Sequence, residues 1–548
     1  MEEYIESPTV KPKPILEMSS QRRWAVTIGV MTGMFIAALE ATVVGTAMPT
    51  VIASLGGLNH YSWVFSAYLV TSTVTVPVWG KLSDLYGRRL LYQVGIGVFL
   101  LGTLLSGFSS SMTELIIFRA IQGLGAGALI PLGMTIIGDI FTLEERAKMQ
   151  AYFSGVWGIS SVIGPIIGGF ITDQLSWRWV FFINLPIGVI AALIIGFALK
   201  EPKVANRPKI DYAGATLLMA AISLLILAMM EGGTSVAEFF ATCNLAVFGG
   251  SIILLLLFAL VEKRAADPII PFELFKNRMV SVSLAAGFLA GVAMFGAISF
   301  IPLFAQGALN ATATEAGSLL TPLMLAWISM SVVGGRIILK TGFRSITIIG
   351  FVILTVGFVF LALFQTDTPR IWLYVDLVLI GMGLGLTMLT LLIAVQQAVE
   401  RTKLGVATSL NQFSRAIGGA FGVAIMGVFL TAGLASELNK AAQSGNPFMT
   451  AAQAAEFSSN PNALIEPKAK AQIPGETLAI LQNSMATSIH RVFWVAAILS
   501  FLAFAVSLLL PKEKENDIHR TDGDVGEKTF MAQQTTINAR NQPDLRKQ

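Results

Sequence analysis

The feature that most constrains this chain is a series of long apolar runs, each close to the ~20 residues an α-helix needs to cross a bilayer. They lie near 24–48, 62–79, 90–110, 114–138, 150–172, 180–199, 212–230 and 243–261. Six more follow, near 280–305, 316–335, 346–364, 371–396, 405–431 and 491–510, making fourteen predicted spans. The runs lack period-two alternation and are long, so they read as helices rather than barrel strands. Composition agrees: 54% of the 548 residues are hydrophobic and only 13% charged, against about 25% charged in a soluble domain. Mean hydropathy is +0.71. The net charge of +4 does not point to nucleic acid, because the basic residues sit in short clusters between apolar runs and form no continuous patch.

Those clusters set an orientation. Inside-facing loops carry the excess of Lys and Arg. With the N-terminus in the cytoplasm, the short inside loops hold eighteen basic residues, among them Lys81, Arg88, Arg89, Arg146, Lys200, Lys263, Arg336 and Arg401. The opposite short loops hold Arg178 and Arg370. Both tails are therefore expected in the cytoplasm of a multi-pass protein of the cell membrane, with no cleavable signal peptide before the first span. The predicted organisation is a cytoplasmic tail at 1–23, a six-helix bundle at 24–199, two additional helices with linkers at 200–278, a second six-helix bundle at 279–510 with a long polar external loop at 432–490, and a cytoplasmic tail at 511–548.

The two bundles repeat. One offset of 255 residues carries Gly80 to Gly335, Lys81 to Arg336, Gly87 to Gly342 and Arg89 to Arg344. The same offset carries Glu145 to Glu400, Arg146 to Arg401, Lys148 to Lys403 and Gly164 to Gly419. Repeated halves with a site where they meet at mid-membrane are a common plan for secondary transporters.

Several chemistries are excluded. The single cysteine, Cys243, cannot form an intrachain disulfide. His60, His490 and His519 lie far apart, with no metal-ligand spacing. No phosphate-loop motif of the Walker type occurs, nor a potassium-filter motif. No nucleophile–base constellation suggests an enzyme. No cofactor or metal is expected, so energy has to come from an ion gradient or from the substrate's own gradient.

The residues that could carry chemistry are few. Gly80-Lys81-Leu82-Ser83-Asp84-Leu85-Tyr86-Gly87-Arg88-Arg89 follows the second span. It is either a latch, with Asp84 held at a helix end or by Arg, or an ordinary basic loop. The fifth span contains Gly158 to Gly169 with Gly164-Pro165-Ile166-Ile167-Gly168-Gly169 at its core, which reads as a seam of close helix contact bent at proline. Arg119 with Gln122 lies in the fourth span, either snorkelling outward or functional. Glu40 is the acid well inside the first-half spans, and a carboxyl in hydrocarbon suits reversible protonation or a cationic substrate. Trp177 to Gly188 reads as an interfacial aromatic anchor. Asp376 and Glu231 are expected at the external interface, and Asp139 could join Asp84. Gln396, Gln397, Asn411, Gln412 and Arg415 either line the cavity or bridge helices.

Four of these stretches resemble the major facilitator superfamily, and specifically its fourteen-helix drug:proton antiporters. The 80–89 loop is similar to the signature between helices 2 and 3, and the 335–344 stretch to its weaker copy, where Leu339 replaces the acid. Gly-Pro-x-x-Gly-Gly resembles the antiporter signature, with Ser160 where the fuller pattern has glycine. Arg119-x-x-Gln122-Gly123 resembles the helix-4 motif implicated in proton coupling, and the run around Glu40 a helix-1 motif that usually has Asp. The resemblance covers roughly 24–510. It implies a monomeric proton-coupled antiporter expelling small hydrophobic or cationic compounds: multidrug efflux, with drug resistance as its consequence. Glu40, Arg119 and Gln122 would couple protons, and Gly80, Asp84, Gly87, Arg88 and Arg89 would gate the cytoplasmic side. The alternatives are an exporter of one metabolite or lipid on the same fold, or a non-transporting receptor or scaffold.

Overall fold

A computed structural model describes residues 18–55, 61–201, 211–231, 242–265, 267–311, 315–316, 319–365, 368–444, 448–459 and 473–512. Most of both predicted tails, His60, His519 and the linker residues Lys203, Arg207 and Lys209 lie outside these residues. The described chain is helical: α1 Ser20–Leu55, α2 Tyr61–Val74, α3 Val76–Tyr86, α4 Arg88–Phe108, α5 Met112–Ile140, α6 Leu143–Gln174, α7 Trp179–Phe182 and α8 Asn184–Ala198. Two helices, α9 Tyr212–Glu231 and α10 Thr242–Glu262, come next. Then follow α11 Arg278–Gly307, α12 Leu320–Leu363, α13 Arg370–Gln397, α14 Leu404–Gln443, α15 Ala451–Ser459 and α16 Gly475–Ser507. Eleven helical segments among the described residues are long and apolar enough to cross a membrane, and Trp63–Val74 and Tyr212–Ala228 are shorter apolar helices.

Local chemistry sets the helix ends. Ser111 accepts the Glu114 N–H at the start of α5. Thr142 and Glu145 form a reciprocal capping box at the start of α6, satisfying donors the first turn leaves unpaired. Gly87 (φ 91°) separates α3 from α4, and Gly342 (φ 77°) breaks α12 into two spans. They are the two positive-φ glycines among the described residues. The 255-residue offset relates them to each other, so the repeat is one of backbone geometry as well as of letters. L side chains avoid this region of φ, which is why glycine occupies both turns.

Helices α1 to α8 pack on one another, α11 to α16 do likewise, and α9 pairs with α10. The two halves meet through α6 with α12 and through α3 and α5 with α14. We call the end of the molecule that carries the 80–89 turn the basic end.

Two expectations are corrected. The external loop predicted at 432–490 is largely helical: α14 continues to Gln443, α16 begins at Gly475 and α15 lies between them. Apolar content drops there, but Leu430, Leu434 and Leu438 keep one buried face at helical spacing, and Met449, Ala454 and Leu481 join the same core. Polarity ended the predicted span without ending the helix. The 177–188 stretch is also more than an interfacial anchor, since Trp177 and Phe181 are buried while Trp179 is exposed.

Candidate functional site

Glu40 sits on α1 at zero exposure, enclosed by three helices of the same half. Arg119 of α5 donates from Nη1 to Glu40 Oε1 at 2.5 Å, and Asn184 of α8 donates from Nδ2 to Oε2 at 2.6 Å. The same Arg119 Nη1 reaches Gln122 Oε1 at 2.6 Å, and Gln122 Nε2 donates to Thr103 Oγ1 of α4 at 2.7 Å. Arg119 Nε donates to the Val64 carbonyl at 3.3 Å, and its guanidinium lies 4.2 Å from the centroid of the Tyr68 ring. Arg119 is therefore not snorkelling; it is 1% exposed. A buried charge pair persists only when its remaining hydrogen-bonding sites are satisfied, and this network does that for both oxygens of Glu40. Protonating Glu40 would cancel one charge of the pair and leave Arg119 to Gln122, Val64 and Tyr68. The arrangement can thus convert the arrival of one proton into the release of one guanidinium.

A second constellation lies at the basic end and joins the halves. Asp84 accepts the backbone N–H groups of Gly405 at 2.9 Å and Val406 at 2.8 Å, in the first turn of α14. Free N–H groups and the helix dipole both favour an anion there. Arg88 Nη2 pairs with Asp84 at 2.6 Å, and its Nε pairs with Asp139 at 2.9 Å. Burial pushes the Asp84 carboxyl up to about 6, opposed by Arg88 and by the two backbone donors. Arg88 and Arg89 also donate their backbone N–H groups to Glu201. Gly80 permits this closeness: a Cβ there would stand 2.5 Å from Ser409 Cβ and 2.8 Å from the Gly405 carbonyl oxygen. Farther in, Gln412 donates to Met134 Sδ at 2.8 Å, again across the halves. At the basic end the halves are shut.

On α6, Gly164 is buried against Thr42 of α1, and the Thr42 hydroxyl donates to the Ser160 carbonyl at 3.2 Å. Gly168 is buried, a Cβ on Gly169 would meet open space, and Pro165 lies within the helix. The seam therefore joins α6 to α1 at Gly164. In the second half, Gln396 donates to Thr408 at 3.2 Å, and among the described residues Arg415 reaches the Met388 sulfur, at 4.0 Å. Asp376, expected near the external interface, lies six residues into α13; it is 4% exposed, and neither carboxyl oxygen finds a donor among the described residues. Sequence reasoning missed Asn184, Thr103, Tyr68 and Glu201. Asn184 was on the page within the aromatic run, as a lone amide among apolar neighbours.

The family model described as Major Facilitator Superfamily matches residues 30–423. The chain belongs to the major facilitator superfamily. Membership makes it a membrane transporter rather than an enzyme. It is 37% identical over 541 residues to the multidrug transporter protein MdtP of Bacillus subtilis (strain 168), covering 94% of this chain and 98% of the relative. It is 36% identical to multidrug resistance protein 3 of the same organism, covering 89% and 95%. The solved structure of the proton:xylose symporter XylE aligns with a TM-score of 0.56 at 12% identity, over 92% of this chain and 99% of that one. That likeness shows the superfamily fold.

Proposed function

We propose that this chain is a proton-coupled antiporter that exports small, largely apolar molecules of several kinds across the cell membrane by alternating access of its two halves. The observation that carries the reading is the enclosed Glu40–Arg119 pair, a proton acceptor whose loading changes the charge balance of a helix junction. The relatives named as multidrug transporters support the breadth of cargo. In this reading the eleven long apolar segments, the two shorter ones and α6 are taken as fourteen crossings, with α9 and α10 added to two bundles of six; the eleven long segments support it. The excess of Lys and Arg puts the basic end, and both termini, in the cytoplasm.

In this scheme the closed turn at Asp84 belongs to the state shut toward the cytoplasm. A proton from outside neutralises Glu40, Arg119 relaxes onto Gln122, and the junction of α1, α5 and α8 repacks. The Asp84 contacts then part, the proton leaves on the cytoplasmic side, and cargo enters. The small residues along α6 let it slide against α1 and α12 while the halves rock. The same superfamily fold also serves a proton:xylose symporter, XylE, so direction has to be tested. In everted membrane vesicles energised by a proton gradient, Glu40→Gln should insert normally, abolish proton-driven uptake of a fluorescent drug and stop the accompanying proton release. Full proton-driven transport by that variant would remove Glu40 from the coupling role.

A further inference from the structure

We infer that Arg415 is an anion-binding residue of the transport path, and that the cargo it selects is an amphipathic molecule bearing a carboxylate. Arg415 lies ten residues beyond Gly405 on α14, about 15 Å along the axis, close to the midpoint of a ~30 Å hydrocarbon core. Its direction follows from helical spacing. On the same helix Gly405 touches Asp84, Ser409 lies against Gly80, and Gln412 reaches Met134 of the first half. Three residues beyond Gln412, Arg415 lies about 60° round the helix from it, between the row that touches the first half and the side that packs on α11. Its backbone carbonyl packs against Gly291 on another side, and its side chain is part-exposed. It lies about one turn deeper along α14 than the Gln412–Met134 contact that joins the halves.

No carboxylate pairs with it. Among the described residues no acidic oxygen lies within ion-pair distance of its guanidinium, and its recorded partner is the soft Met388 sulfur at 4.0 Å. Along α13, Asp376 is twelve residues from Met388, about 18 Å away. Asp84 is held by Arg88 and by the α14 backbone, and Glu40 by Arg119 and Asn184. An ionised side chain at this depth is costly and calls for a counter-charge. Every acid near it among the described residues is occupied or distant, so the counter-charge arrives with the cargo. A guanidinium offers a planar two-point fork that fits a carboxylate. The same geometry disfavours cations here: a cationic compound would have to displace Arg119 from Glu40 and pass a free positive charge.

The inference rests on the export reading for its biological meaning but is tested separately, by binding. The probes are 1-naphthoate and its neutral twin 1-naphthamide. They are titrated calorimetrically into the full-length protein in phosphatidylcholine nanodiscs. The wild type should prefer the carboxylate about tenfold or more, as a charge-assisted fork implies. Arg415→Gln should erase the preference while keeping naphthamide binding, and Arg415→Lys should restore part of it. Retained naphthamide binding also shows that the variant is folded. Equal affinities in the wild type, or an unchanged preference in Arg415→Gln, overturn the inference. So does loss of the preference on adding phosphatidylglycerol or free phosphate, which would assign the site to a lipid headgroup or an inorganic anion. If naphthoate binds preferentially but a proton gradient fails to move it in proteoliposomes, the export reading falls and the assignment of Arg415 stands.

Discussion

Adding one methyl group at Gly80 should open the basic end. A Cβ at this position would lie 2.5 Å from Ser409 Cβ and 2.8 Å from the Gly405 carbonyl oxygen. Both are on α14, in the other half, and the carbonyl is backbone within a helix, so it cannot swing aside as a side chain could. The strain is relieved by separating α3 from α14, which also lengthens the two hydrogen bonds from α14 to Asp84. Overpacking of this kind costs about 1–3 kcal/mol, and because Gly80 clashes only when the halves are closed, that cost falls on the closed state. A bias of that size shifts a two-state equilibrium roughly 5- to 150-fold. Cys243 is the single cysteine, so one substitution gives a clean background for spin labels at Lys200→Cys and Thr402→Cys, one on each half. Electron–electron distance measurements in nanodiscs should show the short-distance population falling in Gly80→Ala. Gly97→Ala is the control, since a Cβ there meets nothing within 4 Å. A distance distribution in Gly80→Ala matching wild type or that control would refute the argument that close packing at this point holds the halves together.

The same spin-label pair reads the pH dependence of the Asp84 turn. Its carboxyl is raised to about 6 when shut and relaxes toward the ordinary 3.8 when hydrated, so the shut form binds the proton more tightly. Acidification should therefore favour the shut form; that contribution is complete below about 3.8 and lost as pH rises through about 6. Asp84→Asn should remove this part of the profile, and a profile identical to wild type would contradict it. On α6, Gly164→Val should overpack Thr42, whose Cβ lies 2.9 Å from the added carbon, and cost about 1–3 kcal/mol. Thermal unfolding in detergent should occur at lower temperature, and an unchanged midpoint would mean that the α1–α6 seam tolerates bulk.

Individual residues were legible in the sequence where chemistry clashed with surroundings. Glu40 and Arg119 each stood out as a charge in an apolar run. Their pairing did not, because 79 positions separate them and only the packing of α1 on α5 brings them together. The turns at Gly87 and Gly342 were legible because both positions need a backbone that other residues avoid. Asn184 was obscured by the aromatic residues around it, and Glu201 by lying in a charged connection after α8. The 432–490 segment shows where hydropathy stops informing: it reports where lipid ends, whereas the helix persists as long as Leu430, Leu434 and Leu438 have a core to bury into. The burial of Asp376 was hidden for a related reason. Its position near the start of a span said nothing about which side of α13 it occupies.

What Asp84 grips is main chain, and this sets how the clasp can change over time. Side-chain replacement at Val406 leaves its N–H donor in place, whereas any side chain at Gly405 would put a Cβ 2.6 Å from Asp84 Oδ1 and 2.8 Å from the Gly80 carbonyl oxygen and push the clasp apart. Proline alone would delete a donor outright, and at Val406 it would remove one of the two hydrogen bonds seen here. The first half supplies the Asp84 carboxyl, the Arg88 that pairs with it and the bare Cα of Gly80. The clasp is thus written in both copies of the repeat, as a carboxyl and a bare Cα in the first and as a bare Cα beside free N–H groups in the second.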